Sequence, residues 1–170
     1  LYAAKKCGVK EIYLVGGAQA IAALSCGTKK IKKVNKIVGP GNIYVTAAKK
    51  EIFDETGIDM IAGPSEITVL GDRYSNPDWI ASDLIAQSEH DELSQSIFIS
   101  KDKSLISKVK KSLSCQLKKL PRRLIASKSL KSNGILIYAA SDKKIVETIN
   151  KIAPEHLELY IRNYNNILNK

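Results

Sequence analysis

Cysteine is scarce in this chain. Cys7, Cys26 and Cys115 are three, far apart and odd in number. Disulfide-stapled domains use cysteine densely and in even numbers, so no such framework is expected. A reducing compartment, the cytoplasm, is expected instead. Long apolar runs are missing too: none approaches the ~20 residues needed to cross a bilayer. The opening LYAAKKCGVK lacks the apolar centre of a secretory signal, and no membrane partner is expected. Acidic residues nearly vanish between positions 101 and 131, where eleven Lys and Arg face Asp102 alone, while sixteen of each sign balance elsewhere. The formal net charge of +10 therefore sits in one stretch. A basic stretch can bind nucleic acid. No aromatic residue interleaves with these cations, so base stacking has no support. A solvated, lysine-rich helical face is the other reading, and no nucleic-acid partner is expected. The chain has no short-period repeat, no disordered linker and no G-x-G-x-x-G. It starts at Leu1 rather than Met, as if inside a helix stopped by Gly8, and a segment of a longer protein is expected.

What remains is ordinary globular material. At 170 residues and 44% hydrophobic content, the chain can be one domain or pieces of two. Apolar runs alternate with helical patterns, the signature of an α/β protein. Strands are expected at Glu11–Val15, Lys33–Val38, Ile67–Leu70, Ser96–Ser100, Ile135–Tyr138 and Leu157–Ile161, with a further β-rich run at Ile58–Ala62. Helices are expected from Ala18 to Leu24, from Asn42 to Glu55, from Pro77 to about His90 and from Lys101 to Leu120. A short one follows Pro121, and another follows Ser141-Asp142 with Ile145, Ile149 and Ile152 inward. Asn76 as N-cap, Pro77 behind it and Asp78 in the first turn make the clearest helix start.

Five positions carry candidate chemistry. Gly16-Gly17 turns a strand into a helix with Gln19 near its start, and Gly39-Pro40-Gly41-Asn42 repeats the arrangement after the next strand. Such βα turns suit phosphate but also serve close packing, and Asn42 is a good N-cap in its own right. Gly63-Pro64-Ser65-Glu66 is a turn that would hold Ser65 at the mouth of a strand. Gln87 and His90, at i and i+3 on a helix, can reach one point in space and offer a divalent metal an amide oxygen and an imidazole. Alternatively His90 caps the helix and Gln87 faces solvent. Pro154 should end a helix and leave Glu155-His156 on a turn, as an acid/base pair or as a surface polar pair.

Together, VGGAQAIAAL at 15–24, KIVGPGNIYVTAAK at 36–49, IDMIAGPSEITVL at 58–70, DLIAQSEHD at 83–91 and APEHLEL at 153–159 resemble histidinol dehydrogenase in motif, order and spacing. The resemblance covers nearly the whole chain. It implies an α/β fold with parts of two Rossmann-like, mostly parallel domains: 1–62, the C-terminal part of an NAD-binding domain, and 63–170, part of a second carrying metal, substrate and catalytic residues. It implies NAD-dependent oxidation of L-histidinol through a bound aldehyde to L-histidine by a zinc homodimer. The catalytic pair implied is Glu155 and His156. Gln19 and Asn42 fall in the NAD site, Gln87 and His90 on the metal, and Ser65, Gln87, His90 and His156 around the substrate. In the family two further metal ligands lie beyond Lys170, one from the partner subunit, and an NAD-site tyrosine lies before Leu1. The segment alone is thus expected to be inactive. Two other readings are an α/β domain that binds a nucleotide without catalysis and a nucleic-acid binder using 101–131.

Overall fold

In the computed structural model, residues 1–61, 63 and 65–168 are described. The chain divides into two units, Leu1–Gly63 and Pro64–Lys170. The first holds α1 (Tyr2–Lys6), α2 (Gly17–Cys26), β1 (Lys36–Ile37), α3 (Ile43–Glu51) and β2 (Gly57–Ile58). β1 and β2 pair in parallel, Lys36 opposite Gly57. Among its described residues Ile21 and Ile37 are the buried apolar ones. Polar ties do much of the holding: the Ser25 and Thr56 hydroxyls meet at 2.8 Å in the interior. The buried Lys49 ammonium donates to Asp59 Oδ1 and to the Gly39 carbonyl, each at 2.6 Å.

The expected strand at Glu11–Val15 does not form. Among the described residues, 9–16 form no strand and pair with none, and Leu14 is 99% exposed. The residue types suit a strand, but a strand exists only by hydrogen bonding to a neighbour. The segment is tied by Tyr13, whose hydroxyl donates to Glu11 Oε2 at 2.9 Å and to the Lys30 carbonyl at 3.2 Å. For the same reason the strands expected at 33–38 and 58–62 shrink to two residues each. The helix expected to reach Glu55 stops at Glu51. Ala62 and Pro64, on which part of the Ile58–Ala62 run and of the Gly63–Glu66 turn falls, lie outside the described residues.

The second unit comprises β3 (Glu66–Gly71), α4 (Pro77–Ser88), β4 (Gln95–Ser100), α5 (Lys103–Leu117), α6 (Arg123–Asn133), β5 (Gly134–Tyr138), α7 (Asp142–Ile152), β6 (Leu157–Tyr160) and α8 (Asn165–Leu168). Its sheet runs β5-β4-β3-β6, all parallel. Strands buried on both faces need continuous apolar runs, which β3 and β4 supply: Val69, Phe98 and Ile99 are fully buried. One face packs Ile67, Val69 and Phe98 under α4 and α5. The other packs Leu70, Ile97 and Ile99 under Ile145 and Ile149 of α7 and Ile167 of α8. The helix starts follow capping chemistry: Asn76, Asp102 and Ser141 accept N–H bonds from the first turns of α4, α5 and α7. Asp102 as cap moves the start of α5 two residues past Lys101. The basic stretch lies on α5, α6 and their junction, with Leu105, Val109 and Leu113 inward and its lysines and arginines exposed.

Candidate active site

Because the strands of the second unit are parallel, their first residues share one edge. Ser65 stands exposed just before β3, its carbonyl accepting the Gln95 N–H at 3.1 Å. The turn before β6 is clamped to the same strand. Glu66 Oε1 accepts the Glu155 N–H at 3.0 Å, and the His156 carbonyl accepts the Thr68 N–H at 2.8 Å. Ala153, with φ of 50°, takes the left-handed conformation that ends α7 ahead of Pro154. The outcome is a backbone-pinned turn with free side chains. Glu155 Oε1 and His156 Nε2 are 3.9 Å apart, and each side chain is about 60% exposed.

Residues of β6 alternate. Leu159 and Ile161 join the core under α7. The other face carries His156, Glu158 and Tyr160, and Tyr160 packs with the α4 side. There the Tyr160 hydroxyl donates to Asp83 Oδ2 at 2.6 Å. That bond, with burial and the carboxylate charge, pushes the phenol pKa up to about 12. Burial raises the Glu158 carboxyl above its ordinary value, helped by the Asp83 charge and a hydrogen bond to it, while His156 pulls the other way. One turn along α4 from Asp83 lies Gln87, whose Nε2 is buried without a hydrogen-bond partner. Buried amide nitrogens are ordinarily hydrogen-bonded, so this one is an exception. α4 ends at Ser88, so His90 sits one residue past the Glu89 cap, exposed, with its N–H on the Gln87 carbonyl at 3.3 Å. The helix is two residues shorter than expected, and Gln87 and His90 share a turn rather than a helix face.

The structure thus ties Ser65 to the Glu155-His156 turn through Glu66, and Gln87 to His90 through one turn of backbone. Among the described residues no three His, Cys, Asp or Glu side chains form a metal cage. Gln87 and His90 offer an amide and an imidazole, two polar donors rather than a closed ligand set. In the first unit, Asn42 caps α3, its Oδ1 accepting the Tyr44 and Val45 N–H groups at 3.1 Å. α2 begins at Gly16-Gly17 without a side-chain cap, and Gln19 is exposed on its first turn. Gly17 has φ of 68°, and a Cβ on Gly41 would run into Val45 at 2.4 Å, so both turns demand glycine. Uncapped N–H groups behind a glycine turn fit the phosphates of a dinucleotide. Sequence reasoning missed Glu158 and Tyr160. Their signal was the polar alternation 156, 158, 160 inside an otherwise apolar strand.

The family model for histidinol dehydrogenase matches residues 1–170. The chain belongs to the histidinol dehydrogenase family. It is 64% identical over 171 residues to the histidinol dehydrogenase of Pelagibacter ubique and 52% identical over 170 residues to that of Listeria monocytogenes. Each match covers 100% of this chain and 40% of the relative. The crystal structure of histidinol dehydrogenase from Elizabethkingia anophelis superposes with a TM-score of 0.91 at 43% identity, over 99% of this chain and 39% of that one. The chain therefore spans about 40% of the length of the family members it matches. The expected α/β, parallel, Rossmann-like fold is the fold it has. Among the described residues no helix is long and apolar enough to cross a membrane.

Proposed function

We propose that this chain is the central part of the working site of a cytoplasmic histidinol dehydrogenase, and that the family-length homodimer oxidises L-histidinol through L-histidinal to L-histidine. The two units correspond to parts of two Rossmann-like domains. The observation that carries the reading is the Glu155-His156 turn: backbone clamped to β3, side chains adjacent and open to a substrate. His156 takes the proton from the substrate hydroxyl as hydride departs. Glu155 accepts a proton from the water that adds to the aldehyde, and the hydrate yields the second hydride. Ser65 holds substrate at the mouth of β3. NAD, held in part by Gln19, Asn42 and the two glycine turns, supplies the hydride acceptor when bound. Gln87 and His90 would contribute two ligands to a zinc ion, which would fix the substrate and polarise its oxygen.

The test is NADH formation from L-histidinol in the family-length protein. His156→Ala should lower kcat by about 10²–10⁴-fold, the range of a lost acid–base group. The melting temperature should hold, because the side chain is exposed. A strong chelator should abolish the wild-type signal, and chain 1–170 alone should give none. Near-normal turnover in His156→Ala would overturn the assignment.

A further inference from the structure

The opposite edge of the second unit's sheet, where its strands end, also carries a site. The chain leaves β3 for α4 on one face, and leaves β6 for α8, whose Ile167 packs on the other face. β3 and β6 are neighbours, so the connections diverge between them. In open parallel sheets such a divergence opens a crevice beyond the strand ends where ligands bind. Here it holds a cavity of about 400 Å³, lined by Gly71 at the end of β3 and Asp72 to Tyr74 after it, Lys101 after β4, Asp142 and Ile145 on α7, and residues from Ile161 to Ile167 after β6. That volume falls in the usual range for small-molecule sites.

The charges are divided unevenly. Asp142 is taken by Lys101. The Asp72 carboxylate accepts the Tyr74 N–H at 2.9 Å, the Arg162 N–H at 3.0 Å and the Ser75 hydroxyl at 3.3 Å. Burial pushes its pKa up, but these donors and the Arg162 charge together hold it below the ordinary value, so it stays ionised and occupied. The guanidinium groups of Arg73 and Arg162 form no ion pair among the described residues. Both lie on the Tyr74 ring, at 5.0 and 3.7 Å from its centre. A guanidinium stacked on a ring uses its face and keeps its N–H donors for a planar or tetrahedral anion. Lys103, over the Tyr138 ring at 4.7 Å, adds a further cation at the adjoining mouth.

We propose that this crevice binds a phosphoryl group, with Arg73 and Arg162 as its fork, Tyr74 as their common platform and the cavity receiving whatever the phosphate is attached to. Arginine pairs matched to phosphate oxygens are the strong form of such recognition. The site is distinct from the edge that carries Ser65, Glu155 and His156, and does not depend on the reaction proposed there.

The test is calorimetric titration of the family-length protein with inorganic phosphate and, separately, with ribose 5-phosphate. Both should bind saturably. Tighter binding of the ester would assign an organic phosphate as ligand, and equal binding would assign free phosphate. The double variant Arg73→Ala/Arg162→Ala should weaken binding at least about tenfold, or about 1.4 kcal/mol, with an unchanged melting temperature. If that variant fails to fold, Arg73→Lys/Arg162→Lys keeps the charges and removes the fork, and should still weaken binding several-fold. No saturable binding of either probe, or binding indifferent to the folded variants, would overturn the proposal.

Discussion

The second unit encloses a core around its sheet, and the first does not. Val69, Phe98 and Ile99 are at 0% exposure, while Leu14, Val38 and Tyr44 stand at 99%, 71% and 70%. With four strands and a helical layer on each face, the second unit can bury its apolar runs whole. Among its described residues the first unit has two strands of two residues each, and Lys49–Asp59 and Ser25–Thr56 do what side-chain packing does in the second. The contrast teaches that apolar composition specifies burial only where neighbours exist to bury against. Where they are few, charge and hydrogen bonding define the interior. The two units should then fail in different ways.

The largest effect should come from Phe98→Ala in the second unit. The ring is fully enclosed between β4 and the helices above it, and such truncations cost about 3–5 kcal/mol. Urea unfolding followed by Trp79 fluorescence reads this directly. A loss under about 1 kcal/mol would mean that the core can collapse around the gap.

Next comes acid. Lys49 above all, then the Gly39 and Met60 N–H groups, holds the Asp59 carboxyl far below its ordinary 3.8. A depressed carboxyl pKa contributes stability that is present above the unfolded value and lost as pH falls through the folded one. The first unit should therefore loosen on acidification from about pH 5 to about pH 2. The exchange rate of the Gly39 N–H, 2.9 Å from Asp59 Oδ2, reports it. Asp59→Asn should speed exchange at neutral pH and flatten its acid dependence. Equal acid dependence in both proteins would remove Asp59 as the cause.

The second unit carries a weaker term of opposite sign. The Glu158 carboxyl is raised by burial and by Asp83, so its contribution is greatest when protonated and is lost as pH rises through the folded value. Glu158→Gln should make the unit slightly more stable at neutral pH and no more stable in acid. Melting temperatures at the two conditions check the crossing.

The same contrast explains what could be read in advance. Helices announced by caps, such as Asn76 before Pro77 and Ser141 before α7, were legible because capping is local chemistry. Strands β3, β4 and β5 were legible from their apolar runs. Glu11–Val15 carries similar residues and fails, because strand pairing is non-local. The site divides likewise. Glu155-His156 and Gln87…His90 stand out as residue pairs, but the Glu66 clamp reaches across 89 positions and the Asp83–Tyr160 bond across 77. No spacing rule encodes such contacts, although the alternation of His156, Glu158 and Tyr160 did mark a polar face.

The smallest effect tests the contrast at its weakest point. Leu14 has the residue type of a core position and almost no surface covered. If burial is what makes a leucine stabilising, Leu14→Ser in chain 1–170 should shift unfolding by no more than about 0.5 kcal/mol, as for a surface site. Leu70→Ala, on β3 with 1% exposure, is the matched control and should cost about 2–5 kcal/mol. Urea denaturation of the two variants side by side decides the matter. A large loss from Leu14→Ser would mean that residues 9–16 pack in solution after all, and that the first unit has a core its two short strands do not account for.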